Sequence, residues 1–346
     1  MTTRYPGGLI NKSSANTSLS GASGMWSLPT ATQKAKLDQW PVGGVTNPIV
    51  NSLRFRASAS GYLSRTPSSA SDRKTWTFST WIKKCTNGGG TTFFGSDYGD
   101  PYTNNYCHIG YWSSTNVDSI WFDHGNENIR GMVYTNAVFR DPSAWYHVVV
   151  VLDTTQATDT NRVKIYVNGV QQTCSTLNTG YPSQNWEGLI NTAGGHAIGY
   201  RMRDNNSYFD GYLGETHFVN AQALTPASFG QTNPITGVWE SIKYTGTYGT
   251  NGFYLPFNTP SNMGKDASGN NNNWTLSGFN TSTANTSYDI VSDVPTQWTP
   301  RASTTDTGGV VRGNFAVMSP IDNNIAYSGS SQTITNGNLK LTNAGN

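Results

Sequence analysis

Trp76-Thr-Phe-Ser-Thr-Trp-Ile82, Trp145-Tyr-His-Val-Val-Val-Val-Leu152 and Val163-Lys-Ile-Tyr-Val-Asn-Gly-Val170 decide how this chain folds. In the last of these, Val163, Ile165 and Val167 alternate with Lys164, Tyr166 and Asn168, the period-two pattern of a strand with one wet face. Asn168-Gly169 predicts a two-residue type I′ hairpin turn, because both residues accept positive φ. Val148 to Leu152 is apolar at every position, which predicts a central strand covered on both faces. His196-Ala-Ile-Gly199, Tyr208-Phe-Asp-Gly-Tyr-Leu-Gly-Glu-Thr-His-Phe218 and Ala223-Leu-Thr-Pro226 add further short runs between Gly, Asn, Asp and Ser turns. Helical periodicity is almost absent from Ser52 to Pro226. The expected class is therefore all-β, two antiparallel sheets packed as a sandwich.

Composition agrees and narrows the functions. At 346 residues the chain can bury a large core and carry appended segments. Charged residues are 12% and aromatics also 12%, with 37 Gly. A disordered chain would lack those aromatics, whereas a turn-rich surface β protein uses them in its core or as sugar platforms. A net charge of +2 with no Lys/Arg cluster does not point to nucleic acid, and no apolar run suits a membrane helix. Met1-Thr-Thr-Arg-Tyr-Pro-Gly-Gly lacks the charged and apolar regions of a signal peptide, so synthesis in a cytoplasm is expected. Cys85, Cys107 and Cys174 are odd in number and without metal-ligand spacing, and are expected to be reduced thiols.

The ordered string Ser52-Leu-Arg-Phe55, Tyr62-Leu-Ser-Arg-Thr-Pro-Ser-Ser69, Arg73-Lys-Thr-Trp-Thr-Phe78, Trp145-Tyr-His147, Asp153-Thr-Thr-Gln156, Arg162-Val-Lys-Ile-Tyr-Val-Asn-Gly169, Phe209-Asp-Gly-Tyr-Leu213 and Gln222-Ala-Leu-Thr-Pro226 spans about half of the chain. It resembles the laminin-G-like, concanavalin A-like jelly-roll domain, in the version carried by tail-fibre and structural proteins of tailed, marine-type bacteriophages. The resemblance implies a jelly roll in a virion protein, made in the host cytoplasm and used outside it. It also implies a homo-oligomer, as a trimer, and a host-surface glycan as partner. Two other readings stand beside it: a capsid decoration or adaptor protein, and a polysaccharide-degrading enzyme.

Four segments follow. Residues 1–50 are Gly/Ser/Asn/Thr-rich, with one short helix expected at Thr30 to Gln39 before Pro41. Two turns of helix are unstable alone, so Trp26, Leu28, Leu37 and Trp40 are candidate anchors for docking on another virion protein. Residues 51–226 form the sandwich. Residues 227–300 continue in β style, as strands completing or flanking it. Residues 301–346 are a polar linker or the start of a further domain.

No residues suggest catalysis. Glucanases of related fold need a Glu-x-Asp-x-x-Glu strand, whereas Glu127, Glu187, Glu215 and Glu240 have no such companions. His108, His124, His147, His196 and His217 show no ligand spacing, and His147 and His217 are expected as packing residues. Sugar binding needs an aromatic face with Asp or Asn for hydroxyls. Tyr98, Asp100, Tyr102, Asn104, Tyr111 and Trp112 form one such group, and Asp204, Asn205, Asn206 and Tyr208 a second. Calcium is frequent in laminin-G-like domains, and Asp97, Asp100, Asp204 and Asp210 are the candidate oxygen ligands. Asp266-Ala-Ser-Gly-Asn-Asn is expected to be an Asx turn rather than a calcium loop, since no Glu follows.

Overall fold

The computed structural model describes residues 48–97, 105–114, 116–126, 129–202, 207–233, 237–281, 289–295, 314, 332–335 and 340–343. The strands in chain order are β1 (Ser52–Phe55), β2 (Tyr62–Arg65), β3 (Thr75–Lys84), β4 (Thr91–Asp97), β5 (Tyr106–Tyr111), β6 (Ile120–Asn126) and β7 (Ile129–Thr135). Next come β8 (Tyr146–Asp153), β9 (Val163–Val167), β10 (Val170–Gln171), β11 (Cys174–Asn178), β12 (His196–Ile198), β13 (Tyr200–Arg201), β14 (Ser207–Tyr208) and β15 (Gly211–Asn220). The remainder are β16 (Gly230–Thr232), β17 (Trp239–Ser241), β18 (Phe253–Leu255), β19 (Thr275–Ser277), β20 (Ile290–Val291), β21 (Gln332–Thr335) and β22 (Lys340–Asn343). The short helix expected near Thr30 and the anchors Trp26, Leu28, Leu37 and Trp40 lie outside the described residues.

Two eight-stranded antiparallel sheets face each other. The first runs β10-β9-β8-β3-β15-β1-β20, with β18 also pairing on β15, and the second runs β11-β7-β6-β5-β4-β12-β2-β19. This is a jelly-roll sandwich. Its core forms where inward residues of both sheets meet: Phe78 of β3 stacks on Phe94 of β4 with centroids 4.7 Å apart and planes 4° from parallel. Phe218, Phe253 and Trp274 also gather around Phe94. Truncating so central a ring costs about 3–5 kcal/mol, through lost transfer energy and the cavity left behind.

Local chemistry follows the sequence pattern. Val163, Ile165 and Val167 are buried while Lys164 and Tyr166 are partly exposed. Asn168 and Gly169 take φ of 48° and 82° and join Val167 to its partner Val170. Val148 and Val150 point into the core between the sheets. Val149 and Val151 point outward and are covered by Phe229, Leu224, Tyr244 and Tyr248. The chain beyond residue 228 supplies most of that cover, with Leu224 from just before it, and adds β18, β19 and β20 to strands β15, β2 and β1.

Buried ions fasten the segment 289–293 to the first sheet. Asp289 accepts from both Arg54 and Arg56 and is itself shielded from solvent. Asp293 takes Lys83 Nζ at 2.9 Å on one oxygen and the Trp145 indole N–H at 3.0 Å on the other. Cys85, Cys107 and Cys174 are free thiols, the first two fully buried.

Candidate functional site

Strand parity builds the outer face of the second sheet. Cys107, Ile109 and Phe122 face the core, so Tyr106, His108, Trp121 and Asp123 face away from it. His108 lies directly across from Asp123 and diagonally from Asp97, which pairs with Tyr106. His108 Nε2 is 2.8 Å from Asp97 Oδ1, and Tyr106 stacks on His108 at 5.3 Å. Burial pushes the Asp123 carboxyl above its usual range, opposed by His108, Arg130 and Arg201. After Gly199, at φ of 81°, the chain turns back and the β13-β14 hairpin packs against β4.

Where that hairpin meets the end of β4 there is a cavity of about 450 Å³ lined by Arg73, Asp97, Leu189, Thr192, Gly195 and Met202, among others. Its wall is a preformed loop. His196 Nε2 accepts the Asn191 N–H at 2.9 Å, and its Nδ1 then carries the proton and donates to Gly194 O at 2.9 Å. Thr192 Oγ1 donates to Leu189 O and accepts from Gly194 N. Arg73 clamps the preceding turn through Gly188 O and Glu187. Acidic, basic, hydroxyl and apolar groups thus share one concave surface, the mixture that a polar ligand with an apolar face requires.

The residues named from sequence divide as follows. Asp97 lines the cavity, and so does Met202, which the sequence had not singled out. Tyr98, Asp100, Tyr102 and Asn104 follow Asp97 in the chain, and Asp204, Asn205 and Asn206 follow Met202; all seven lie outside the described residues. Tyr208 is half-buried, stacked on Tyr200 at 4.6 Å and near Tyr62 at 6.3 Å. Tyr111 is a correction. It faces the core edge-on to Phe93 and is 1% exposed, because its strand position shares the parity of Ile109. Trp112 is also corrected: 8% exposed, it packs on Tyr134 at 4.6 Å beside Trp121 and Met132 and offers no free face to a sugar.

The described aspartates do not form one calcium cage. Asp97 ends β4, and one of its oxygens is engaged by His108. Asp210 lies toward the other end of that strand, since it follows Phe209, whose N–H donates to Gly199 O, while Gly199 N–H donates to Phe93 O. Burial raises the Asp210 carboxyl, and Ala57 N–H donates to it. Among the described residues, no three His, Cys, Asp or Glu side chains are placed to hold one ion. Asp100 and Asp204 lie outside them.

His147 packs between two indoles, and His217 stacks on the outer side of the first sheet. His147 is sandwiched between Trp81 and Trp239, accepts the Trp239 indole N–H on Nδ1, and bonds Ser79 Oγ through Nε2. His217 stacks on Tyr254 at 4.4 Å. No site residue was named from sequence within the loop 189–195, because a wall of Gly, Ala and Thr carries no aromatic signal.

Comparison with solved structures returns similar folds at low identity. A native heptameric SAP-like pentraxin from Limulus polyphemus is 16% identical with a TM-score of 0.37, covering 52% of this chain and 80% of its own. The sialidase CBM40 of Ruminococcus gnavus is 15% identical with a TM-score of 0.34, covering 45% and 80%. Domains LG4-5 of the mouse laminin alpha1 chain are 14% identical with a TM-score of 0.37, covering 53% of this chain and 45% of the laminin fragment. Comparison with curated proteins returned no match. Residues 57–228 match the family model described as the concanavalin A-like lectin/glucanases superfamily, and a lectin-like jelly-roll domain of that kind is found in this chain.

Proposed function

We propose that this chain is a non-enzymatic glycan-binding protein of a bacteriophage virion, a tail fibre or similar appendage that contacts host-surface carbohydrate. One observation carries the glycan reading. Asp97 and Met202, from which the two polar-aromatic segments named in the sequence depart, line the same 450 Å³ cavity. The virion context is supported by the ordered motif string of the sequence, and with it come a trimeric assembly and attachment through residues 1–50. Non-catalytic binding is favoured over hydrolysis because the chain has no Glu-x-Asp-x-x-Glu strand.

The test is a glycan microarray probed with the full chain and with Ala193→Trp. Ala193 is exposed and lines the cavity, so an indole there plugs it without disturbing the core. Binding to a glycan class that Ala193→Trp abolishes is the expected result. Absence of binding by the full chain, or unchanged binding by the variant, refutes the reading. Repeating the array with EDTA determines whether calcium participates beside Asp97.

A further inference from the structure

We propose that the opposite face of the sandwich carries a second ligand pocket, built by the chain beyond residue 228 and suited to a neutral pyranose. A cavity of about 400 Å³ lies on the outer side of the first sheet, lined by Glu215, His217, Lys243, Tyr244, Tyr248 and Tyr254, among others. It stands on its own geometry, independent of the glycan reading above.

Glu215 reaches this pocket through a β-bulge. Leu213 and Phe218 both face the core although they are five residues apart, so one residue between them must be extra. The pairing of β15 with β3 slips between Gly214 and His217, and Glu215 takes φ of 47°, the left-handed region that is unfavourable for a non-glycine residue. Thr216 then turns inward onto Thr80 at 2.8 Å, leaving Glu215 and His217 side by side outside. In an unbroken strand the parity of Leu213 would place Glu215 in the core. A strained bulge that re-aims a carboxylate is a feature of built sites more than of plain packing.

The groups around the carboxylate are held in place. Tyr254 donates its hydroxyl to Glu215 Oε1 at 2.6 Å, and His217 Nε2 lies 3.4 Å from Oε2. His217 Nδ1 is 2.9 Å from the Tyr248 hydroxyl. The loop carrying Tyr244 and Tyr248 is fastened by the asparagine tract: Asn270 and Asn272 side chains donate to the carbonyls of Gly249, Thr250 and Gly252. Asp266 supports that tract as an Asx turn, accepting from Ser268 N, Asn272 N and Tyr254 N. At Gly246 a Cβ would collide with the Tyr244 ring, so the tyrosine folds over this glycine. The segments Tyr244–Leu255 and Asp266–Trp274 thus shape a pocket that exists before any ligand arrives.

Chemistry selects the ligand class. The full charges of Glu215 and Lys243 are opposite, so the pocket exerts no net pull on an ion. Burial keeps the Tyr248 and Tyr254 phenols neutral, well above their ordinary range. Aromatic surface, hydroxyls and one carboxylate acceptor match a pyranose, which has an apolar C–H face and a polar rim.

The test is saturation-transfer NMR on the full chain with methyl β-D-glucopyranoside, methyl β-D-galactopyranoside and N-acetylglucosamine as separate probes. Ala193→Trp blocks the first cavity, and Ala267→Trp, at an exposed position, plugs the second. Transfer to at least one sugar should survive Ala193→Trp and vanish in Ala267→Trp, with Tyr244→Ala weakening it about tenfold. No transfer from any of the three to the Ala193→Trp protein overturns the proposal. So does transfer unaffected by both Ala267→Trp and Tyr244→Ala, or binding of tetramethylammonium or inorganic phosphate there while the sugars stay silent. Array binding that Ala193→Trp leaves unchanged, with this transfer retained, would sink only the earlier reading.

Discussion

Acidification from pH 7.5 to 5 should destabilise this protein severely, and three buried histidines set the amount. Burial lowers His147 to about 3, with His217 adding to the effect, and lowers His124 and His196 to about 4. Each is neutral in the folded chain at pH 5, whereas its unfolded counterpart near 6.5 is almost fully protonated. A depressed pKa means the stabilisation is complete above pH 6.5 and is lost progressively as pH falls toward 4 and 3. At pH 5 each ring costs about 2 kcal/mol, together about 6 kcal/mol, comparable with the entire stability of many domains. Burial raises the Asp123 and Asp210 carboxyls, which acts in the opposite direction as pH falls. The assay is urea unfolding followed by tryptophan fluorescence at both pH values. A lower midpoint at pH 5 is expected, and His147→Gln should remove about a third of the difference. An unchanged or higher midpoint at pH 5 refutes the reasoning. His196 adds a functional corollary: it keeps accepting the Asn191 N–H at pH 5 and loses that bond only on protonation near pH 4, so the cavity wall should hold through this range and loosen below it.

Asp289→Ala removes the buried carboxylate to which both Arg54 and Arg56 donate and should cost about 3–5 kcal/mol in urea unfolding; a loss under about 1 kcal/mol would contradict the buried-ion account. Thiol labelling of the folded protein should reach Cys174, which is half-buried with its pKa raised to about 11, well before Cys85 and Cys107, and all three after denaturation. An intramolecular disulfide in a non-reducing peptide map would contradict it. Gly169→Ala is strained at φ of 82° and drives a methyl into the Trp239 ring, so it should lower stability by more than ~1 kcal/mol; a neutral effect would show that the turn or Trp239 is placed otherwise.

Strand identity was readable because alternation and buried valine runs are local. The Asn168-Gly169 turn was readable for the same reason, as both residues supply the positive φ it demands. Facing direction was less so. Tyr111 and Trp112 look like an exposed aromatic pair in sequence, yet parity puts the first inside and neighbouring rings cover the second. The Glu215 bulge is invisible to alternation, since it shows only when Leu213 and Phe218 are seen on one face. Contact between Asp97 and His108 depends on how β4 and β5 pair across a long loop, which no spacing rule encodes. The cavity beside Asp97 escaped notice because the loop that walls it is small and glycine-rich, its shape set by His196 and Thr192 hydrogen bonds.

The most direct measurement is a crystal structure of the full chain with the strongest glycan from the array. The account predicts sugar density in the cavity, against Arg73, Asp97 and Met202. Density confined to the Tyr244 pocket, or to neither cavity, would contradict the claim that the end of β4 and the 189–202 segment form the glycan site.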